Sequence, residues 1–259
     1  MKAIIHNNWG ELHLDLEQPM DISIPMRTGK ENVNAWYVGP VKIEPVRGDG
    51  FVGSVKEGGH VNFRDVAFNP HGNGTHTECV GHINPEVSSV QDVLKVFWFR
   101  CCLVSVQPLV LNKAEGYQEF KDKIIRLSVA QKEMLSQEKP DSVAIRTLPN
   151  IPQKINAHYS NTNPPYLDHR DALFLRELGV KHVLIDLPSV DRELDGGRLL
   201  SHRAFWDYPS NPRMDSTITE LIFVKNDIKD GRYMLNLQMA SLVNDASPSK
   251  PCLYSINPK

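Results

Sequence analysis

Apolar positions in this chain come first as short runs broken by turns, and only later at helical spacing. Residues 2–6, 11–16, 41–46, 51–55 and 61–68 read as β-strands, separated by turn residues such as Gly48-Asp49-Gly50 and Gly58-Gly59. The most apolar stretch, 96–111, is interrupted by Arg100, Gln107 and Pro108, so it predicts a buried strand and not a membrane span. Residues 112–139 are charged, with apolar residues at Ile124, Ile125, Leu127, Val129 and Met134. This segment reads as helix, either a helical insertion or a packed surface helix.

Beyond it the two periods alternate. Residues 142–147 predict a strand, and Asp168 would cap a helix over 169–178, with Ala172, Leu175 and Leu178 on one face and Gly179 as its stop. The apolar run 180–186 follows that helix as a strand does in an α/β fold. Residues 199–206 look helical, whereas 219–224, 232–241 and 251–256 look like strands. No repeat, low-complexity tract or linker divides the sequence. The expectation is an α/β fold with mixed sheets, a single domain over residues 1–259.

Composition agrees and narrows the function classes. With 259 residues, 41% of them hydrophobic and 23% charged, the chain can bury a substantial core. Its 29 basic and 31 acidic residues leave a net charge of −2, which provides no electrostatic case for nucleic acid or an anionic membrane as partner. The N-terminal segment has too few apolar residues for a signal-peptide core, so a cytoplasmic location is expected. Cys101 and Cys102 are adjacent in a predicted strand and should point to opposite faces. Neither a thiolate zinc knuckle nor a disulfide scaffold is indicated, and Cys101, Cys102 and Cys252 read as small buried apolar residues.

Candidate chemistry concentrates in His71-Gly-Asn-Gly-Thr-His76-Thr-Glu78-Cys-Val-Gly-His82. In extended backbone, side chains two apart share a face, so His76 and Glu78 project together; His82 has the same parity and can join them directly or after a turn at Gly81. Imidazole nitrogen and carboxylate oxygen are the donors that zinc and similar divalent ions accept in hydrolytic sites. Spacing alone leaves a metal site and a set of structural histidines both open. His6, His13, His60, His158, His169 and His182 stand apart from this cluster and read as structural or surface residues.

Further motifs extend the pattern. Gly74-Thr75-His76-x-Glu78-x-x-x-His82 resembles the signature His-x-Gly-Thr-His-x-Asp-Ala-Pro-x-His of the cyclase family, which includes bacterial kynurenine formamidase. The block from Gly179 to Asp191, His202 in Ser201-His-Arg, Glu220 in Ile218-Thr-Glu-Leu, Arg146-Thr147, and the closing segments from Gly231 and Ser247 resemble later family motifs in the same order. The resemblance implies the family's swivelling β/β/α fold. It implies His76, Glu78, His202 and Glu220 as metal ligands, with Glu78 in place of a bridging aspartate, and His82 as general acid/base. The implied cofactor is a divalent metal, one or two ions of zinc or manganese. The implied reaction is hydrolysis of a small-molecule amide such as N-formylkynurenine, giving kynurenine and formate, by a homodimer or homotetramer. Another small amide, a cyclic imide or a lactone would suit the same residues, and a cyclase-fold binding or assembly module without chemistry is the alternative of another class.

The sequence departs from the signature at three places. The family's first histidine falls on Gly72, and the nearest histidine, His71, is one residue early, with reversed side-chain parity. His71 joins the ligands only if Gly72-Asn73-Gly74 absorbs a bulge. Glu78 stands for aspartate, and Cys79-Val80 stands for Ala-Pro; Cys79 reads either as a small core residue or as a thiolate ligand. Trp36, Tyr37, Tyr166, Phe205 and Trp206 are candidate pocket or core aromatics, and Arg146 either anchors a carboxylate or pairs with a buried acid.

Overall fold

In the computed structural model, which describes residues 1–86, 88–114 and 118–256, each predicted apolar run carries a strand, but the run 51–55 is extended only at Phe51–Val52 and the run 219–224 gives way to Thr217–Glu220. The main sheet has eight strands in the order Gly231–Met239, Trp98–Val106, Ser142–Thr147, His182–Ile185, Thr217–Glu220, His76–Cys79, Ala246–Ser255 and Met20–Asp21. Because Gly231–Met239 also pairs with Ala246–Ser255, the first seven close into a barrel-like ring with Met20–Asp21 attached outside it. Four neighbours, from Trp98–Val106 to Thr217–Glu220, run parallel, and the remaining ladders are antiparallel. The mixed α/β class is therefore as expected.

Alternation along the strands builds two cores. Cys101, Leu103, Ala144, Leu184, Leu235 and Leu237 share one buried cluster. Cys102, Val104, Val143, Ile145, Val183 and Ile185 belong to another, completed by Leu135, Ala172, Leu175, Phe205 and Trp206 from the helices Val129–Glu138, His169–Glu177 and Leu200–Trp206. Cys101 and Cys102 thus face opposite sides of their strand, as period two requires. Asp168 caps His169–Glu177 by accepting from Arg170 N, and Gly179 takes φ +87° just beyond it.

The helix expected over 112–139 is confined to Val129–Glu138, which starts at a Ser128–Gln131 capping box. Residues 115–117 of that expectation lie outside the described residues. Lys123–Ile125 is a strand parallel to Tyr166–Leu167, and Ile124 and Ile125 are both fully buried. A strand covered on both faces buries consecutive positions, so the apolar cluster before Ser128 carries a strand's signal rather than a helix's. Among the described residues no helix is long and apolar enough to cross a membrane.

Candidate metal centre

The site forms where the strand His76–Cys79 is held between Thr217–Glu220 and Ala246–Ser255. The antiparallel register sets His76 opposite Glu220 on one side, and Glu78 opposite Ala246 on the other. His76 and Glu78, two residues apart, project from one face, while Thr77 turns the other way to bond the Thr219 hydroxyl at 2.8 Å. His76 Nε2 lies 3.5 Å from Glu220 Oε2, so residues 144 positions apart meet as the motif requires.

His71 arrives by a different backbone route from the bulge that parity demanded. Asn69 accepts from Gly72 N and starts the helical turn Pro70–Asn73, after which Gly74 is fully extended into the strand. This turn rotates His71 back toward the strand's face, placing its Nδ1 3.1 Å from Glu78 Oε2. Position 72 has no room for the family's histidine: a Cβ there would lie 2.7 Å from Ala35 O and 2.6 Å from Val38 Cγ2. The segment that crowds Gly72 is fastened to it, since Ala35 N donates to Gly72 O at 2.9 Å.

His202 reaches the same point from the helix Leu200–Trp206, with Nε2 2.9 Å from Glu78 Oε1 and 3.8 Å from Glu220 Oε1. Asp191 holds it there, accepting from His202 Nδ1 at 2.6 Å and from the backbone N–H of Ser201 at 2.7 Å and of His202 at 3.1 Å. Leu199, the residue at the helix start, gives no side-chain cap, so Asp191 also performs that task. Glu220 Oε1 accepts from Val190 N at 3.0 Å. His82 follows on the short helical turn Val80–His82, its Nδ1 3.2 Å from Asp245 Oδ2 and 3.9 Å from Glu78 Oε2.

Five of the six predicted side chains therefore surround one small space, with His82 at its rim. His76, Glu78, His202 and Glu220 are at most 2% exposed, whereas the side chains of His71 and His82 are 20% and 31% exposed, so the space opens on their side. Burial opposes charge on these groups, but their partners prevail. Hydrogen bonds to Asp245 and Glu78 hold His71 protonated up to about 10, and Asp191 and Glu78 raise His202 well above the usual histidine range. Glu78 is held well below the usual carboxylate range, against its burial, by His82 and His202.

A divalent cation fits this donor set. His76 Nε2 is fully buried without a hydrogen-bond partner, whereas buried polar atoms are ordinarily paired, and the equally buried Glu78 Oε2 has His71 Nδ1 at 3.1 Å as its nearest partner. Ligands at about 2.0–2.2 Å from a tetrahedral ion lie roughly 3.3–3.6 Å from one another, and the separations of 2.9–3.8 Å between these groups bracket that value. His71, His76 and Glu78 form one trio whose donor atoms all lie within 4.8 Å, Glu78, His82 and His202 form a second, and His71, His82 and Asp245 a third toward the rim. Protons on His71 and His202 balance the carboxylates, and a cation would replace those that face inward.

Cys79 is a core residue: fully buried, it donates to Ser88 O at 3.3 Å, and burial pushes its thiol up to about 11. Arg146 binds Ser105 Oγ, Asp230 and the carbonyls of Lys225 and Ile228, a structural set that includes none of the centre's side chains. Phe205 and Trp206 belong to the core, and the buried Tyr166 hydroxyl bonds Asp122. Trp36 and Tyr37 lie on a loop that reaches Pro188 O and Glu193. Sequence reasoning missed Asp191 and Asp245. Neither lies at motif spacing from a histidine; Asp191 stood in the block from Gly179 without a role, and Asp245 precedes a strand that only the fold brings beside Glu78.

The sequence profile of the family Cyclase, described as "Putative cyclase", matches residues 14–192. No curated protein sequence matches the chain. Among solved structures, a potential metal-dependent hydrolase with cyclase activity superposes with a TM-score of 0.62 at 17% identity, covering 93% of this chain and 99% of the other. A predicted metal-dependent hydrolase from Bacillus stearothermophilus gives 0.58 at 16% identity, over 92% and 98%. An isatin hydrolase bound to the product analogue thioisatinate gives 0.61 at 11% identity, over 93% and 94%.

Proposed function

The chain belongs to the Cyclase family, and on that premise we propose that it is a divalent-metal-dependent hydrolase of a small amide. His71, His76, Glu78, His202 and Glu220 are the proposed ligands of one or two ions, zinc or manganese. The observation that carries this reading is the fully buried His76 Nε2, which has no hydrogen-bond partner and faces Glu220 Oε2 at 3.5 Å, in the space that Glu78 and His202 also line. A buried nitrogen lone pair without a partner is costly, and coordination would remove the cost. The arrival of His71 beside Glu78 also weakens the case for a binding module without chemistry, which rested on the displaced histidine.

A bound cation would polarise the scissile carbonyl as a Lewis acid. The protein's own residues supply the rest. His82, at the open rim, is placed to carry a proton to the leaving amine. Asp191 and the Gly74 carbonyl orient His202 and His76, so these rings need no rearrangement when substrate enters.

N-formylkynurenine is the proposed substrate by family resemblance. A cyclic amide is the second reading, since one structural neighbour is an isatin hydrolase and isatin is a cyclic amide. Metal analysis of untagged protein purified without chelators should give at least one equivalent of zinc or manganese. Turnover of N-formylkynurenine, isatin, a cyclic imide and a lactone should then reveal one preferred class. His82→Ala should keep the metal and lose turnover; full activity in that variant would end the role assigned to His82, and metal-free active protein would end the reading itself.

A further inference from the structure

Each histidine of the centre has one ring nitrogen committed to an oxygen on its outer side. His202 Nδ1 faces Asp191 at 2.6 Å, and His76 Nδ1 faces the Gly74 carbonyl at 3.0 Å. A carbonyl can only accept, so His76 carries its proton on Nδ1 and turns a bare Nε2 inward. Asp191 already accepts from two backbone N–H groups, which makes it the acceptor for His202 as well.

His71 is arranged the other way round. Its Nε2 is the outer atom, 3.0 Å from Asp245 Oδ2, and its Nδ1 is the inner one, 3.1 Å from Glu78 Oε2. The same Asp245 oxygen lies 3.2 Å from His82 Nδ1, and the two imidazole rings are 4.5 Å apart. A cation on His71 Nε2 would sit across the ring from Glu78 and would have to displace the Asp245 contact. Asp245 is placed by backbone, not by its side chain: its carbonyl accepts from Cys79 N at 3.0 Å, next to the Ala246–Glu78 register pair.

Building on the metal-centre reading, we propose that Asp245 is an outer positioning residue, not a ligand. Its Oδ2 holds His71 Nε2 and His82 Nδ1, leaving His71 Nδ1 for the divalent cation and His82 Nε2 for the substrate's proton. Such carboxylate–histidine–metal arrangements fix the tautomer and direction of the ligating ring. They also distinguish the role of Asp245 from that of Glu78, which presents both oxygens to the inner space.

The test uses zinc alone as probe. In zinc-loaded protein carrying 15N-labelled histidine, ring nitrogen spectra should show His71 bound through Nδ1 with Nε2 still protonated, while His76 and His202 bind through Nε2. Zinc titration of Asp245→Asn should give the native stoichiometry with affinity about 10–100-fold lower. Coordination of His71 through Nε2, loss of an equivalent of zinc in the variant, or unchanged affinity would each overturn the assignment. Native protein that takes up neither zinc nor manganese overturns the metal-centre reading and this assignment with it, whereas failure confined to the His71 spectrum or to Asp245→Asn overturns the assignment alone.

Discussion

Replacing Asp191 by alanine removes two functions with one side chain. It uncaps the helix Leu200–Trp206, where the N–H groups of Ser201 and His202 lose their acceptor, and it strips His202 Nδ1 of a 2.6 Å partner. A lost cap costs about 1–2 kcal/mol, and a hydrogen bond between charged groups contributes about 1.5–3 kcal/mol. Both losses occur at a site where Asp191 and His202 are at most 4% exposed, so solvent replaces little of either. The expected destabilisation is about 3–5 kcal/mol, read by urea unfolding of metal-free protein followed by circular dichroism. The pH matters, because His202 is raised above its ordinary value: its stabilisation is complete below about 6.5 and fades as pH climbs through the raised value. Measurement at pH 6 therefore captures the full effect. Zinc calorimetry on the same variant should show affinity about 10–100-fold lower, as for other orienting partners of ligating histidines. A loss under about 1 kcal/mol together with native zinc affinity would refute the dual role.

Two further outcomes follow from groups outside the centre. Burial, aided by Lys181, lowers His182 to about 3, while Asp215 and Asp141 pull the other way and Arg213 adds to the lowering. The unfolded chain takes up a proton below about 6.5 that the folded protein refuses, so stability should fall by about 1.4 kcal/mol per pH unit from there toward pH 3. His182→Leu should flatten that limb relative to the native protein when metal-free samples are unfolded in urea at pH 6.5 and 4.5; equal slopes would count against it. Arg146→Met leaves Asp230 and the carbonyls of Lys225 and Ile228 without their partner, for an expected loss of about 3 kcal/mol at native zinc stoichiometry. A changed zinc count in that variant would place Arg146 in the site after all.

The chain's local chemistry was legible in advance wherever one period or one cap decides the outcome. Alternation predicted the strands and the opposite orientation of Cys101 and Cys102; Asp168 and Gly179 bounded their helix; two-residue spacing put His76 and Glu78 on one face. His202 and Glu220 were found by resemblance to motifs, not by any property of their own segments. Short range was also where reading failed, because Ile124 and Ile125 suit a helix as well as a doubly covered strand until the neighbouring Tyr166–Leu167 is known.

Tertiary structure alone decided the rest, and the reason is ring closure. Pairing Gly231–Met239 with Ala246–Ser255 carries the latter strand to the edge of His76–Cys79, which brings Asp245 to His71 and His82 across 174 and 163 residues of chain. The loop at Ala35–Val38 fills the space where a side chain at position 72 would stand, so the histidine that reaches Glu78 from this segment is His71, on a helical turn. No local period encodes either event: each depends on the distance between backbones that meet only after the sheet has closed.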